Sequence, residues 1–143
     1  MFAERAMKRE VKPMRILIVE DELLIAADAE AMLTDAGHEI VGMADDLESA
    51  LIAADEGRPE LALVDIQLSG GASGLDVAAE LRGRGVPVMF VTGNCPNASG
   101  RDLALGCLHK PFDRQNIVAT VVAAGQLMRG VQPRSLPHAL HLY

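Results

Sequence analysis

Tryptophan is absent from this 143-residue chain, and one tyrosine and three phenylalanines hold aromatics to 3%. Half of the residues are nonetheless hydrophobic. The core must therefore be built from Ala, Val, Leu, Ile and Met, as in parallel sheets covered by helices. Positive charge is also scarce: Lys and Arg number 13 against 20 acidic residues, a formal net charge of −7. That balance argues against a binder of the nucleic-acid backbone. The clustered Arg5, Lys8, Arg9, Lys12 and Arg15 read as a solvated arm. Cys95 and Cys107 form no CxxC and no metal-type pattern. No apolar run is long enough to span a bilayer, and no secretory segment is evident. The expectation is a cytoplasmic protein with reduced thiols and no membrane partner.

What is present is a regular alternation. Residues 1–13 read as a flexible leader, 14–129 as one folded domain and 130–143 as a frayed tail with no output domain attached. Within the domain, "MRILIV" (14–19), "EIVGMA" (39–44), "LALVD" (61–65), "VPVMFVT" (86–92) and "CLHK" (107–110) read as strands. Between them lie helical segments. Gly37 is placed as a C-cap, Asp45 or Asp46 as an N-cap, and Ser73 with Asp76 at capping-box spacing. Residues 93–106 read as a loop followed by a short, weak fourth helix. Residues 113–130 close the domain with a helix carrying Ile117, Val121, Ala124 and Met128 as an apolar stripe. Five such units predict an α/β, doubly wound parallel sheet flanked by five helices.

In such sheets the ligand site lies beyond the C-terminal ends of the strands. Those ends carry Glu20 and Asp21, Asp65, Thr92 with Gly93, and Lys110. Three carboxylates gathered on one rim repel unless a cation intervenes. Oxygen ligands of this kind suit Mg²⁺ together with a phosphate oxygen. A hydroxyl and an ammonium on the same rim add donors for an anion. An aspartate in that setting can itself accept a phosphoryl group.

With those residues in place the chain resembles the receiver domain of two-component response regulators over about residues 14–129. The resemblance implies a flavodoxin-like sheet of order 2-1-3-4-5. It also implies Asp65 as phosphoacceptor, with Mg²⁺ or Mn²⁺ held by Asp21, by Asp65, by Glu20 through water and by the backbone carbonyl of Gln67. Thr92, the Gly93 amide and Lys110 would bind the phosphoryl oxygens. "PVMFVTGN" (87–94) is similar to the Pro-Phe-x-Phe-Ala-Thr-Gly-Tyr motif of single-domain regulators from alphaproteobacteria, departing at Val88, Val91 and Asn94. That subfamily pairs with sensor histidine kinases of the HWE and related classes.

The implied function is a stand-alone phosphoacceptor, fed by a histidine kinase or a phosphotransfer protein and signalling by contact with an output protein. It would be a signalling protein and not an enzyme, apart from catalysing its own phosphorylation and dephosphorylation. Monomer or weak homodimer is the expected state. A phosphorelay intermediate, a phosphate sink and a metal-dependent phosphohydrolase are the alternatives. The last of these would want a second acid just beyond Asp65, where Ile66 and Gln67 stand instead. Receivers usually carry Tyr or Phe three residues before the lysine, and Cys107 occupies that place.

Overall fold

The computed structural model describes residues 12–97, 100 and 102–143. The first eleven residues of the expected leader lie outside the described residues. The apolar runs form the strands expected of them. They are β1 (Arg15–Val19), β2 (Glu39–Ala44), β3 (Leu61–Val64), β4 (Val88–Thr92) and β5 (Gly106–His109). The helices are α1 (Leu23–Asp35), α2 (Leu47–Gly57), α3 (Gly74–Gly83) and α4 (Arg114–Met128).

Local chemistry sets the helix ends. Asp46 caps α2 by accepting from the Ser49 amide, and the Ser49 side chain answers to the Asp46 backbone. Ser73 and Asp76 make the same reciprocal box on α3. Gly37, just beyond α1, has φ +101°, the left-handed conformation that a helix stop of this type requires.

The sheet order is β2-β1-β3-β4-β5-β6. The first five strands run parallel, in the order the resemblance implies. Every residue of β3 and β4 is buried, so successive side chains enter two different cores. On one face Ile16, Ile18, Leu63, Met89, Val91 and Leu108 pack with α1 and α4. On the other, Leu17, Val19, Val64, Val88 and Phe90 pack with α2 and α3. The stripe on α4 holds at Ile117, Val121 and Ala124, while Met128 is 39% exposed.

Three expectations are corrected. The tail is not wholly frayed, because Leu140–Leu142 form β6, antiparallel to β5. The sheet therefore has six strands, and the outer edge of β5 is covered. The expected fourth helix is not seen among the described residues: those between β4 and β5 form turns and bends, with Gly100 in a 3₁₀ turn, and four α-helices among the described residues flank the sheet. Gly93, Pro96 and Gly100 disfavour the longer helix. Finally, the thiols are not free: Cys95 and Cys107 form a disulfide across a Cα–Cα distance of 6.0 Å.

Candidate phosphoacceptor site

Because β1, β3, β4 and β5 are parallel, their C-terminal ends share one rim, and the expected site residues meet there. Glu20 follows β1, Asp65 follows β3, Thr92 ends β4, and Lys110 follows β5. One carboxylate oxygen from each of Glu20, Asp21 and Asp65 lies within 4.8 Å of the other two. Lys110 enters this cluster, its Nζ donating to Asp65 Oδ2 at 2.8 Å and to Glu20 Oε1. The Lys110–Pro111 peptide is cis.

The carboxylates are held differently. Asp65 is 6% exposed, and its Oδ1 accepts from the Gln67 amide at 3.2 Å. Glu20 is 8% exposed and accepts from the Glu22 amide at 3.3 Å. Asp21 accepts from the Ser69 amide at 3.0 Å. Ser69, in the loop after β3, thus orients a carboxylate 48 residues away. Only the folded loop brings it there, and no local signal in the sequence marks it.

Electrostatics follow from this packing. Burial raises the Glu20 carboxyl from an ordinary 4.5 to about 7, the Lys110 hydrogen bond opposing that rise and the Asp65 charge adding to it. Burial works to lower the Lys110 ammonium, but the hydrogen bonds of Asp65 and Glu20 outweigh it and raise the pKa. The Ser69 contact lowers Asp21. One ammonium among three carboxylates leaves the cluster short of positive charge, which is the donor set a hard divalent cation fits. Thr92 supplies a further sign: its buried Oγ1 has no hydrogen-bond partner among the described residues. A buried hydroxyl without a partner calls for a ligand or water to satisfy it. Gly93 follows it, and a Cβ there would meet nothing within 4 Å.

A pH dependence follows for the metal-free protein. Folded Glu20 keeps its proton to about pH 7, whereas a glutamate of ordinary pKa 4.5 has lost it earlier. The folded state therefore binds more protons across that window, and stability falls as pH rises through it, by about 1.4 kcal/mol per unit of displacement. Urea unfolding at several pH values measures this. Added Mg²⁺ should flatten the slope, because a bound cation favours the charged carboxylate.

The fold and this rim define a receiver domain. Residues 16–122 match the response regulator receiver domain family, and the chain belongs to it. Its relatives include the phyllosphere-induced regulator PhyR of Methylorubrum extorquens, 40% identical over 113 residues that cover 76% of this chain and 42% of that protein. The crystal structure of the response regulator PhyR from Brucella abortus superposes with a TM-score of 0.74 at 31% identity, covering 90% of this chain and 54% of that one. The structure of PhyR from Bartonella quintana, described as an anti-anti-sigma factor, gives 0.73 at 27% identity, covering 91% and 54%. The chain spans about half the length of these relatives.

Proposed function

We propose that this receiver accepts a phosphoryl group on Asp65 from a phosphohistidine of a sensor kinase or phosphotransfer protein. A carboxylate oxygen of Asp65 forms the new O–P bond as the N–P bond to the imidazole breaks. The observation that carries this reading is the convergence of three carboxylates, Lys110 and the unpartnered Thr92 hydroxyl on one rim.

Asp21, Asp65, Glu20 and the Gln67 carbonyl would hold Mg²⁺ or Mn²⁺, which supplies charge neutralisation when bound. Lys110 exchanges its carboxylate partners for a phosphoryl oxygen. Thr92 Oγ1 and the Gly93 amide take another. Nearly all of the catalysis is positioning and electrostatics. Incubation with Mg²⁺ and acetyl phosphate, read by intact mass, tests the proposal. One phosphoryl adduct is expected, and its absence, or its persistence in excess chelator, would contradict the reading.

Thr92→Val separates the hydroxyl's role from packing. It removes a buried group with no partner among the described residues, so stability should hold or rise. Phosphoryl uptake should slow by about 10²-fold, as for loss of one transition-state donor. Stopped-flow phosphorylation and a melting curve on the same variant check both halves.

The donor is a protein whose surface covers Leu23 and Leu24. Both are 82% exposed on the first turn of α1, one residue beyond the acidic pair Glu20 and Asp21. Adjacent exposed leucines beside a reaction site suit an apolar partner surface. Leu24→Glu should leave acetyl phosphate uptake unchanged and slow transfer from the kinase. Equal slowing with both donors would remove the docking role.

The motif resemblance supports a kinase of the HWE and related classes, and the reading carries a cytoplasmic setting with it. No described helix is long and apolar enough to cross a membrane. The output is contact with a protein, and by analogy with the Bartonella relative an anti-sigma factor is the first partner to try.

A further inference from the structure

The disulfide ties β5 to the segment that follows Thr92. Cys107 is fully buried on β5 and pairs in register with Phe90, two residues before Thr92. Cys95 lies three residues after Thr92. The bond therefore joins the far side of the Thr92-Gly93-Asn94 turn back to the strand beside its near side. With the β4–β5 pairing it closes a small covalent and hydrogen-bonded ring that includes Thr92. The same bond fixes Cys95, just past that turn, to the interior of β5.

The two cysteines differ in burial. Cys107 is sealed in the core, whereas Cys95 is half-buried and lines an open cleft of about 390 Å³ with Pro96, Asn97, His109, His141 and Tyr143. The cleft floor is partly the tail, since the Tyr143 hydroxyl donates to the Pro96 carbonyl at 3.0 Å. A receiver fed by a cytoplasmic kinase works where thiols are kept reduced, and disulfides found there are usually transient and either catalytic or redox-sensing.

We propose that Cys95 and Cys107 are a thiol–disulfide modification site, closed by a low-molecular-weight disulfide such as oxidised glutathione and opened by a dithiol. The closed form clamps the Thr92 turn, so that phosphorylation no longer reorganises the loop behind it. This rests on the phosphoacceptor reading above. Opening starts with attack of the reductant thiolate on the sulfur of Cys95, the less buried of the two residues. Cys107 leaves as thiolate and takes a proton, and the second reductant thiol then frees Cys95 with formation of the reductant's own disulfide. Closing is the reverse exchange: two protein thiols and one glutathione disulfide give one protein disulfide and two glutathiones. Electrons and atoms balance in both directions.

The test compares three samples: protein poised with excess glutathione disulfide, protein treated with dithiothreitol, and Cys95→Ser. Intact mass and thiol counting establish the redox state, and acetyl phosphate with Mg²⁺ establishes uptake at Asp65. Hydrogen exchange is then followed with and without beryllofluoride. All three samples should take the phosphoryl group. The beryllofluoride-induced change in exchange at Asn94–Asn97 and Leu103–Leu105 should appear in the reduced protein and in Cys95→Ser, and be lost in the oxidised one. The same response in all three would overturn the proposal, as would failure of the disulfide to form in excess oxidant. Absence of any adduct in all three would instead remove the phosphoacceptor reading, and this proposal with it.

Discussion

Lys110→Ala is expected to cut phosphoryl uptake by about 10²- to 10³-fold, the usual loss when one donor to a developing charge is removed. The lysine's Nζ is bonded to both Asp65 and Glu20, and its side chain is 14% exposed against 7% and 5% for theirs. Removing it leaves two buried carboxylates facing each other. Breaking a buried pair from one side costs about 3–5 kcal/mol where the remaining charge cannot escape. Here it can escape, because Glu20 already titrates near 7 and would move higher once the lysine is gone. The stability loss should therefore be small at pH 5 and grow above pH 7. Added Mg²⁺ should recover stability without recovering the rate. Urea denaturation across pH, with and without Mg²⁺, reads the first effect, and phosphorylation kinetics the second. A loss that does not change with pH would mean that Lys110 acts through packing.

Gly74→Val should be more damaging to the fold. Gly74 begins α3 against the end of β3, and its amide donates to the Ile66 carbonyl at 2.8 Å. A Cβ there would lie 2.0 Å from the Asp65 carbonyl oxygen and 2.6 Å from Ile66 Cα. Both are backbone atoms and cannot rotate away. Either α3 lifts from the sheet or the Asp65 peptide moves. We expect a loss of at least about 3 kcal/mol, the upper end of overpacking costs. In whatever fraction folds, uptake should fall by about 10²-fold, since a displacement near 1 Å is enough for that. Gly83→Ala is the control. At the other end of the same helix a Cβ meets nothing within 4 Å, so stability should hold or rise by about 0.5–1 kcal/mol. Similar losses from both substitutions would show that the close approach at Asp65 is not the cause.

The residues of the rim were legible because each rests on a local signal. Continuous apolar runs mark the buried strands, and the residue after each run falls at the strand end. Parallel pairing then brings Glu20, Asp65, Thr92 and Lys110 together without further information. The caps at Asp46 and Ser73 were legible for the same reason, since their partners lie three residues away.

What was missed depends on contacts between distant segments. Leu140–Leu142 is too short to read as a strand after Pro133 and Pro137, and it pairs because the β5 edge offers open hydrogen-bonding groups. Gly106 permits the approach: a Cβ there would meet the His141 carbonyl at 2.4 Å. The Cys95–Cys107 bond spans 12 residues without a motif, and only β5 beside β4 places the two sulfurs together. The Ser69 amide on Asp21 is of the same kind.

The most direct measurement of the central claim is intact mass after acetyl phosphate and Mg²⁺ on wild type and Asp65→Asn side by side. Asparagine keeps the shape of the side chain and removes the nucleophilic carboxylate. One phosphoryl adduct on the wild type and none on Asp65→Asn is the expected result. An adduct of equal size on both would place the phosphate elsewhere and contradict the account.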